Sequence, residues 1–257
     1  MSPTENSDTS TGTADRTPRR FGAAVAALAA SQKSSRGAPA YSRFVNRRLG
    51  RIFAALAYIA GATPNQVTIL SALFTFAGVV LIASAPPSVG VAVGVTALLV
   101  VGYALDAADG QLARLRGGGS LQGEWLDHIV DAIKSSTIHA AVLISWYRFF
   151  DLDDRALLIP LGYQAVTAVF FFAMILTDLL RRVHRGTQEI IIRKTGPTSL
   201  LYSLAVIPAD YGFLCLLFLV LAWPAGFVVL YSLLFVANTL ILGASLVRWF
   251  REMATLS

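Results

Sequence analysis

The 257-residue chain has one cysteine, Cys215, which excludes a disulfide within it and any cysteine-based metal centre. That cysteine lies in an apolar run, where packing is its expected role. Histidines are few and unclustered, so a zinc-type site built on imidazoles is excluded as well. Charged residues are scarce at 14%, against 55% hydrophobic residues and a mean hydropathy of +0.62. Those values exclude an ordinary soluble domain and indicate a polytopic membrane protein. The formal charge of +6 does not indicate nucleic acid, because the basic residues fall in short clusters beside apolar runs.

Against this background the stretch 106–131, DAADGQLARLRGGGSLQGEWLDHIVD, concentrates carboxylates where they are costly. Ionisable groups within membrane helices mark functional sites. At about 100° per residue, Asp106, Asp109, Gly110, Ala113 and Arg114 share an arc of roughly 140° on one helix. Gly123, Asp127 and Asp131 follow at i, i+4 and i+8 on the next. Gly117, Gly118 and Gly119 between them can reverse the chain, giving an antiparallel pair with the acidic stripes facing each other. Facing carboxylates repel unless a cation lies between them, and an oxygen-only donor set suits Mg²⁺ or a similar hard ion with its phosphate ligands. The small residues leave room for a ligand, and Arg114 offers a fork suited to phosphate.

These positions match DxxDGxxAR(x)8GxxxDxxxD without a gap, and the stretch resembles the signature of the CDP-alcohol phosphotransferases, integral membrane enzymes of phospholipid synthesis. The resemblance extends to Thr63, Pro64, Asn65, Val67 and Thr68, which are similar to a TPNxVT start of the family's first span. It implies transfer from a CDP-alcohol, CDP-diacylglycerol foremost, to the hydroxyl of an acceptor alcohol or alcohol phosphate, with release of CMP and a Mg²⁺ or Mn²⁺ cofactor. Carried onto this sequence, it implies that Asp106, Asp109 and Asp127 are metal ligands and that Asp131 is the general base, sharing a metal. Gly110, Ala113 and Gly123 would accommodate the nucleotide, and Arg114 would contact its phosphates. Arg181, Arg182 and Arg185 stand where relatives place basic residues on the acceptor side. The resemblance also allows a homodimer. Two alternatives stay open: transfer of a CDP-linked headgroup to a diacylglycerol-like lipid, and, from another class, a cation or metabolite transporter. The segment after the fourth span lacks the KxRAE and ERP-like pattern associated with the phosphatidylglycerophosphate and inositol-phosphate branches, leaving the acceptor open.

Along the chain, residues 1–40 lack sustained periodicity and read as a disordered cytoplasmic tail. Arg19 and Arg20 before an Ala-rich stretch look like a twin-arginine signal, but the apolar stretch is short and a strongly basic segment follows, so an export signal is rejected. Residues 41–61 place Arg43, Arg47, Arg48 and Arg51 beside Phe44, Leu49, Ile52 and Phe53, predicting a basic amphipathic helix at the membrane interface. An all-α membrane domain, 62–251, follows, with a short tail at 252–257. Six transmembrane helices are predicted, at 65–83, 89–112, 121–147, 156–180, 200–223 and 225–250, each near the roughly 20 residues needed to cross. Basic residues before the first span and after the second, fourth and sixth put both termini and the acidic motif in the cytoplasm. The expected location is a bacterial inner (plasma) membrane. Of the remaining polar residues, Glu124 and His128 lie off the acidic stripe, and Lys134, one turn past Asp131, is placed to pair with it or to touch a ligand phosphate. Asp178 and Asp210 are candidates for the border of the acceptor pocket, and His139 reads as a packed polar group. Gly90 and Gly94 form a GxxxG on the second span, suited to close packing within the monomer.

Overall fold

A long apolar run in a membrane has few options, because its backbone N–H and C=O groups must be satisfied within the segment, and a helix does this. The computed structural model describes residues 21–30, 39–186 and 207–256, which are helical with no strand among them. Helix α1 (Phe21–Ala30) is followed by a π-helical turn, Ser42–Asn46, that runs into α2 (Arg47–Ile59). Then come α3 (Pro64–Ser84), α4 (Val89–Leu115), α5 (Leu121–Phe149) and α6 (Leu158–Arg185), the last preceded by the 3₁₀ turn Asp154–Leu157. After residue 206 a turn at Ile207–Ala209 leads to the short α7 (Tyr211–Leu217), the 3₁₀ segment Phe218–Ala222 and α8 (Pro224–Met253).

The helix starts are written in the sequence. Thr63 accepts the Gln66 N–H at 3.2 Å while the Gln66 side chain accepts the Thr63 N–H at 2.8 Å, with Pro64 in the first helical turn. Ser88 and Ser120 accept N–H groups of Val91 and Gly123 at the starts of α4 and α5, each cap contributing about 1 kcal/mol. The reversal between α4 and α5 uses Gly117 and Gly118 at φ 97° and 131°, values that side chains with a Cβ rarely adopt.

The six-span count is corrected by the structure. Among the described residues four helices are long and apolar enough to cross a membrane: Pro64–Ser84, Val89–Leu115, Asp154–Arg185 and Pro224–Met253. They correspond to the predicted first, second, fourth and sixth spans. The predicted third span does form a helix, α5, but its polar load, including Asp127, Asp131, Lys134, His139 and Arg148, keeps it out of that set. Of the predicted fifth, residues 200–206 lie outside the described residues. The remainder is the short apolar Tyr211–Ala222, less than the roughly 20 residues a crossing needs. Pro208 and Asp210 stop any longer helix there, Asp210 by capping α7 through the Gly212 N–H at 3.0 Å.

Two cores hold the helices together. One is aromatic: Trp146, Tyr163, Phe218, Phe227 and Tyr231 share it, and the buried His139 stacks on Tyr163 and is hydrogen-bonded through Nδ1 to the Tyr231 hydroxyl at 2.6 Å. His139 is thus a packed polar group, and Cys215 is buried in the same core. The other joins α1, α2 and α4 through Ala24, Leu28, Ala54, Ala55, Leu105, Ala108 and Leu112. Helix α2 turns Ala54 and Ala55 inward and exposes Ile52, Leu56 and Ile59. Its leading turn is tied to the C-terminal half by the Ser42 N–H, which donates to Asp210 Oδ2 at 2.9 Å. The closest approach of α3 and α4 is not at the GxxxG, since nothing lies within 4 Å of a Cβ built at Gly90 and one at Gly94 would make only an ordinary contact with Leu81 at 3.4 Å. It is at Gly102, where an added Cβ would fall on the Thr75 hydroxyl and 3.2 Å from Ser71 O.

Candidate active site

Helix α3 packs against both α4 and α5, while α4 and α5 make little direct contact with each other. The facing stripes therefore meet through long polar side chains across a gap that α3 floors. Asp106 on α4 and Asp127 and Asp131 on α5 each offer a carboxylate oxygen, and these oxygens lie within 4.8 Å of one another. Such a donor set fits a hard divalent cation, being all oxygen and converging from two helices. Burial, and then the neighbouring Asp106, push the Asp127 carboxyl up to about 6, and the same causes raise Asp131. Burial is the larger cause of both shifts, and the neighbouring negative charge adds to it.

The counter-charge present is Lys134. Its Nζ donates to Asp106 Oδ1 at 2.5 Å, to Asp131 Oδ1 at 3.1 Å and to Ser71 Oγ at 3.3 Å. Asp109, 7% exposed, stands apart from the converging three and accepts from the Thr68 hydroxyl at 2.6 Å. Gly110 and Gly123 keep the walls low: a Cβ at Gly110 would meet the Arg114 guanidinium at 3.4 Å, and one at Gly123 would meet Asn65 Oδ1 at 3.1 Å. Arg114 Nε is buried with no hydrogen-bond partner, an unmet donor suited to an anionic ligand. Ala113 lies on the same helix one residue before it, half-buried.

The residues expected on the acceptor side are largely engaged elsewhere. Arg181 makes a two-pronged pair with Glu252 at 2.9 and 2.8 Å, joining the ends of α6 and α8. Arg182 is shared between Asp178 on its own helix and Glu124 on α5, 2.6 Å from the latter. That hydrogen bond, more than any other influence, holds the Glu124 carboxyl below its usual range. Arg185 is exposed at the end of α6. Glu124, His128 and Arg182 line a cavity of about 470 Å³ between α5 and α6, walled mainly by apolar side chains such as Trp125 and Leu179. None of the four aspartates lines it. Asp178 and Asp210 serve as an ion-pair partner and a helix cap.

Two residues beside the acids were not singled out for that role from the sequence: Thr68, noted only in the helix-start motif, and Ser71. Both are buried on α3 with Thr75, and the spacing 68, 71, 75 is one helical face. A polar stripe on an otherwise apolar span was the available signal.

The fold and this site define an integral membrane protein with a carboxylate cluster suited to a hard divalent ion. Residues 61–247 match the family model described as CDP-alcohol phosphatidyltransferase, and the chain belongs to that family. It is therefore a metal-dependent enzyme that transfers a substituted phosphate group from a CDP-alcohol to an acceptor, and the transporter alternative falls away. No curated protein matches. Among solved structures it is similar in fold to Mycobacterium tuberculosis phosphatidylinositol phosphate synthase (PgsA1) in complex with manganese and citrate, at 22% identity and TM-score 0.54, over 77% of this chain and 87% of that one. The same protein with CDP-DAG bound gives 22% identity and TM-score 0.53, over 80% and 94%.

Proposed function

We propose that this enzyme moves a phosphatidyl group from CDP-diacylglycerol to the hydroxyl of an acceptor alcohol, releasing CMP. The observation that carries the reading is the convergence of Asp106, Asp127 and Asp131 across the α4–α5 gap, with an unmet Arg114 donor further along α4. Asp106, Asp127 and Asp131 would hold the ion, with Asp109 beside them, fixed by Thr68. A bound Mg²⁺ or Mn²⁺ supplies neutralisation of the pyrophosphate and of the charge developing on the leaving CMP. Arg114 contacts the donor phosphates, and Gly110, Ala113 and Gly123 admit the nucleotide close to the backbone. Asp131 accepts the proton of the acceptor hydroxyl as its oxygen attacks the lipid-bearing phosphorus and the bond from that phosphorus to the CMP oxygen breaks. An acceptor-side role for Arg181 or Arg182 would require their ion pairs to open, which leaves Arg185 as the readier cation.

We further infer that both termini and the site face the cytoplasm. Arg43, Arg47, Arg48 and Arg51 precede α3, Arg114 and Arg116 end α4 next to the acidic motif, and an even number of crossings among the described residues returns the C-terminus to the same side.

The test is CMP release by purified protein in detergent with Mg²⁺, offering CDP-diacylglycerol or CDP-headgroups against a panel of acceptors. Acceptor-dependent release from CDP-diacylglycerol is expected, lost in Asp131→Asn while CDP-diacylglycerol binding survives. Release only from a CDP-headgroup with diacylglycerol would reverse donor and acceptor. Equal loss of binding and turnover in Asp131→Asn would remove the base assignment.

A further inference from the structure

Lys134 spends its entire hydrogen-bonding capacity inside the acidic cluster. An ammonium has three N–H donors and no acceptor, and here the three partners are Asp106, Asp131 and Ser71. The residue is 5% exposed, and Ser71 is itself fixed by donating to Gly102 O at 2.9 Å. Two of its partners belong to the three carboxylates whose oxygens converge. A divalent ion binds carboxylate oxygens at about 2.0–2.6 Å. Binding at Asp106 and Asp131 while an ammonium bridges their Oδ1 atoms would set two positive charges against the same two carboxylates, so the ammonium and the ion compete for them.

We propose that Lys134 is the resident counter-ion of this site: its ammonium bridges Asp106 and Asp131 in the metal-free enzyme and gives up Asp106 when a divalent ion binds. The proposal rests on the reading of Asp106, Asp127 and Asp131 as the metal-holding group. Two effects follow from one side chain. The ammonium keeps facing carboxylates from forcing α4 and α5 apart before the ion arrives, and it sets the affinity of the site lower than bare carboxylates would. Ser71 remains as a partner on α3, so the released ammonium has a defined place beside the reacting groups. Lys134 is on this account a positioning residue that acts through the acids.

The experiment compares wild type with Lys134→Met and Lys134→Gln, purified in detergent. Mn²⁺ binding is titrated by calorimetry, and thermal unfolding is followed in EDTA. The glutamine keeps a hydrogen-bond donor without the charge, so the test stands if the methionine variant fails to fold. Both variants are expected to bind Mn²⁺ at least about tenfold more tightly than wild type and to melt at lower temperature in EDTA. A merely structural role would not yield tighter binding from a less stable protein. Unchanged or weaker Mn²⁺ binding in the variants, with wild-type binding intact, overturns the counter-ion role. Absence of Mn²⁺ binding in wild type and variants alike would instead overturn the metal-site reading, and this proposal with it.

Discussion

Replacing Thr68 with valine removes one hydroxyl and almost no volume, yet it strips a buried carboxylate of its side-chain donor. The Thr68 hydroxyl donates to Asp109 Oδ2 at 2.6 Å, and both residues are buried. A hydrogen bond to a charged group contributes about 1.5–3 kcal/mol, and the unmade bond leaves Asp109 less fixed in the wall of the site. If that full amount is needed to hold Asp109 in the geometry of transfer, Thr68→Val slows turnover about 10- to 150-fold. CMP release at saturating Mg²⁺ reads the rate, and thermal unfolding reads the stability. Thr68→Ser keeps the donor and should restore most of the activity. Full activity and an unchanged melting temperature in Thr68→Val would refute the reasoning, because α4 alone would then be enough to position Asp109.

Gly102→Ala places a methyl group against Thr75 and the Ser71 carbonyl and should cost about 1–3 kcal/mol, seen as a lower melting temperature. Gly90→Ala meets nothing within 4 Å and should leave stability unchanged in the same assay. Arg181→Met breaks the pair with Glu252, both side chains being nearly buried, and should destabilise the protein by about 3 kcal/mol. Acceptor KM in that variant should stay within about twofold, below 1 kcal/mol of binding; a tenfold rise would return Arg181 to the acceptor site.

The acidic motif was legible because spacing on a helix is local: i, i+3 and i, i+4 relations place Asp106 with Asp109 and Asp127 with Asp131 before any tertiary structure is known. Capped helix starts at Thr63, Ser88 and Ser120 are local in the same way. What α3 contributes was not legible. Thr68 reaches Asp109 across 41 positions and Ser71 reaches Lys134 across 63, and nothing in either neighbourhood names its partner. The span count failed for a related reason. Residues 121–147 have the length of a crossing, but the polar groups that make the site are the ones that lower that helix's apolar character. At 200–223 the apolar composition hid a capped break at Asp210. Arg181 and Arg182 had the right charge in the right place, but the sequence held no sign that Glu252, Glu124 and Asp178 would engage them.

The crossing at Gly102 has a consequence for how this protein can change. Ser71 carries out two tasks with one hydroxyl, donating to the Gly102 carbonyl and accepting from Lys134. The contact that lets α3 and α4 lie close is therefore also a support for the charge at the acids. A larger residue at either position would loosen the helix pair and shift the ammonium in a single step. Adaptation to another temperature or another membrane must then come from elsewhere, in the aromatic core or the outward faces, because at this crossing robustness and chemistry cannot be varied independently.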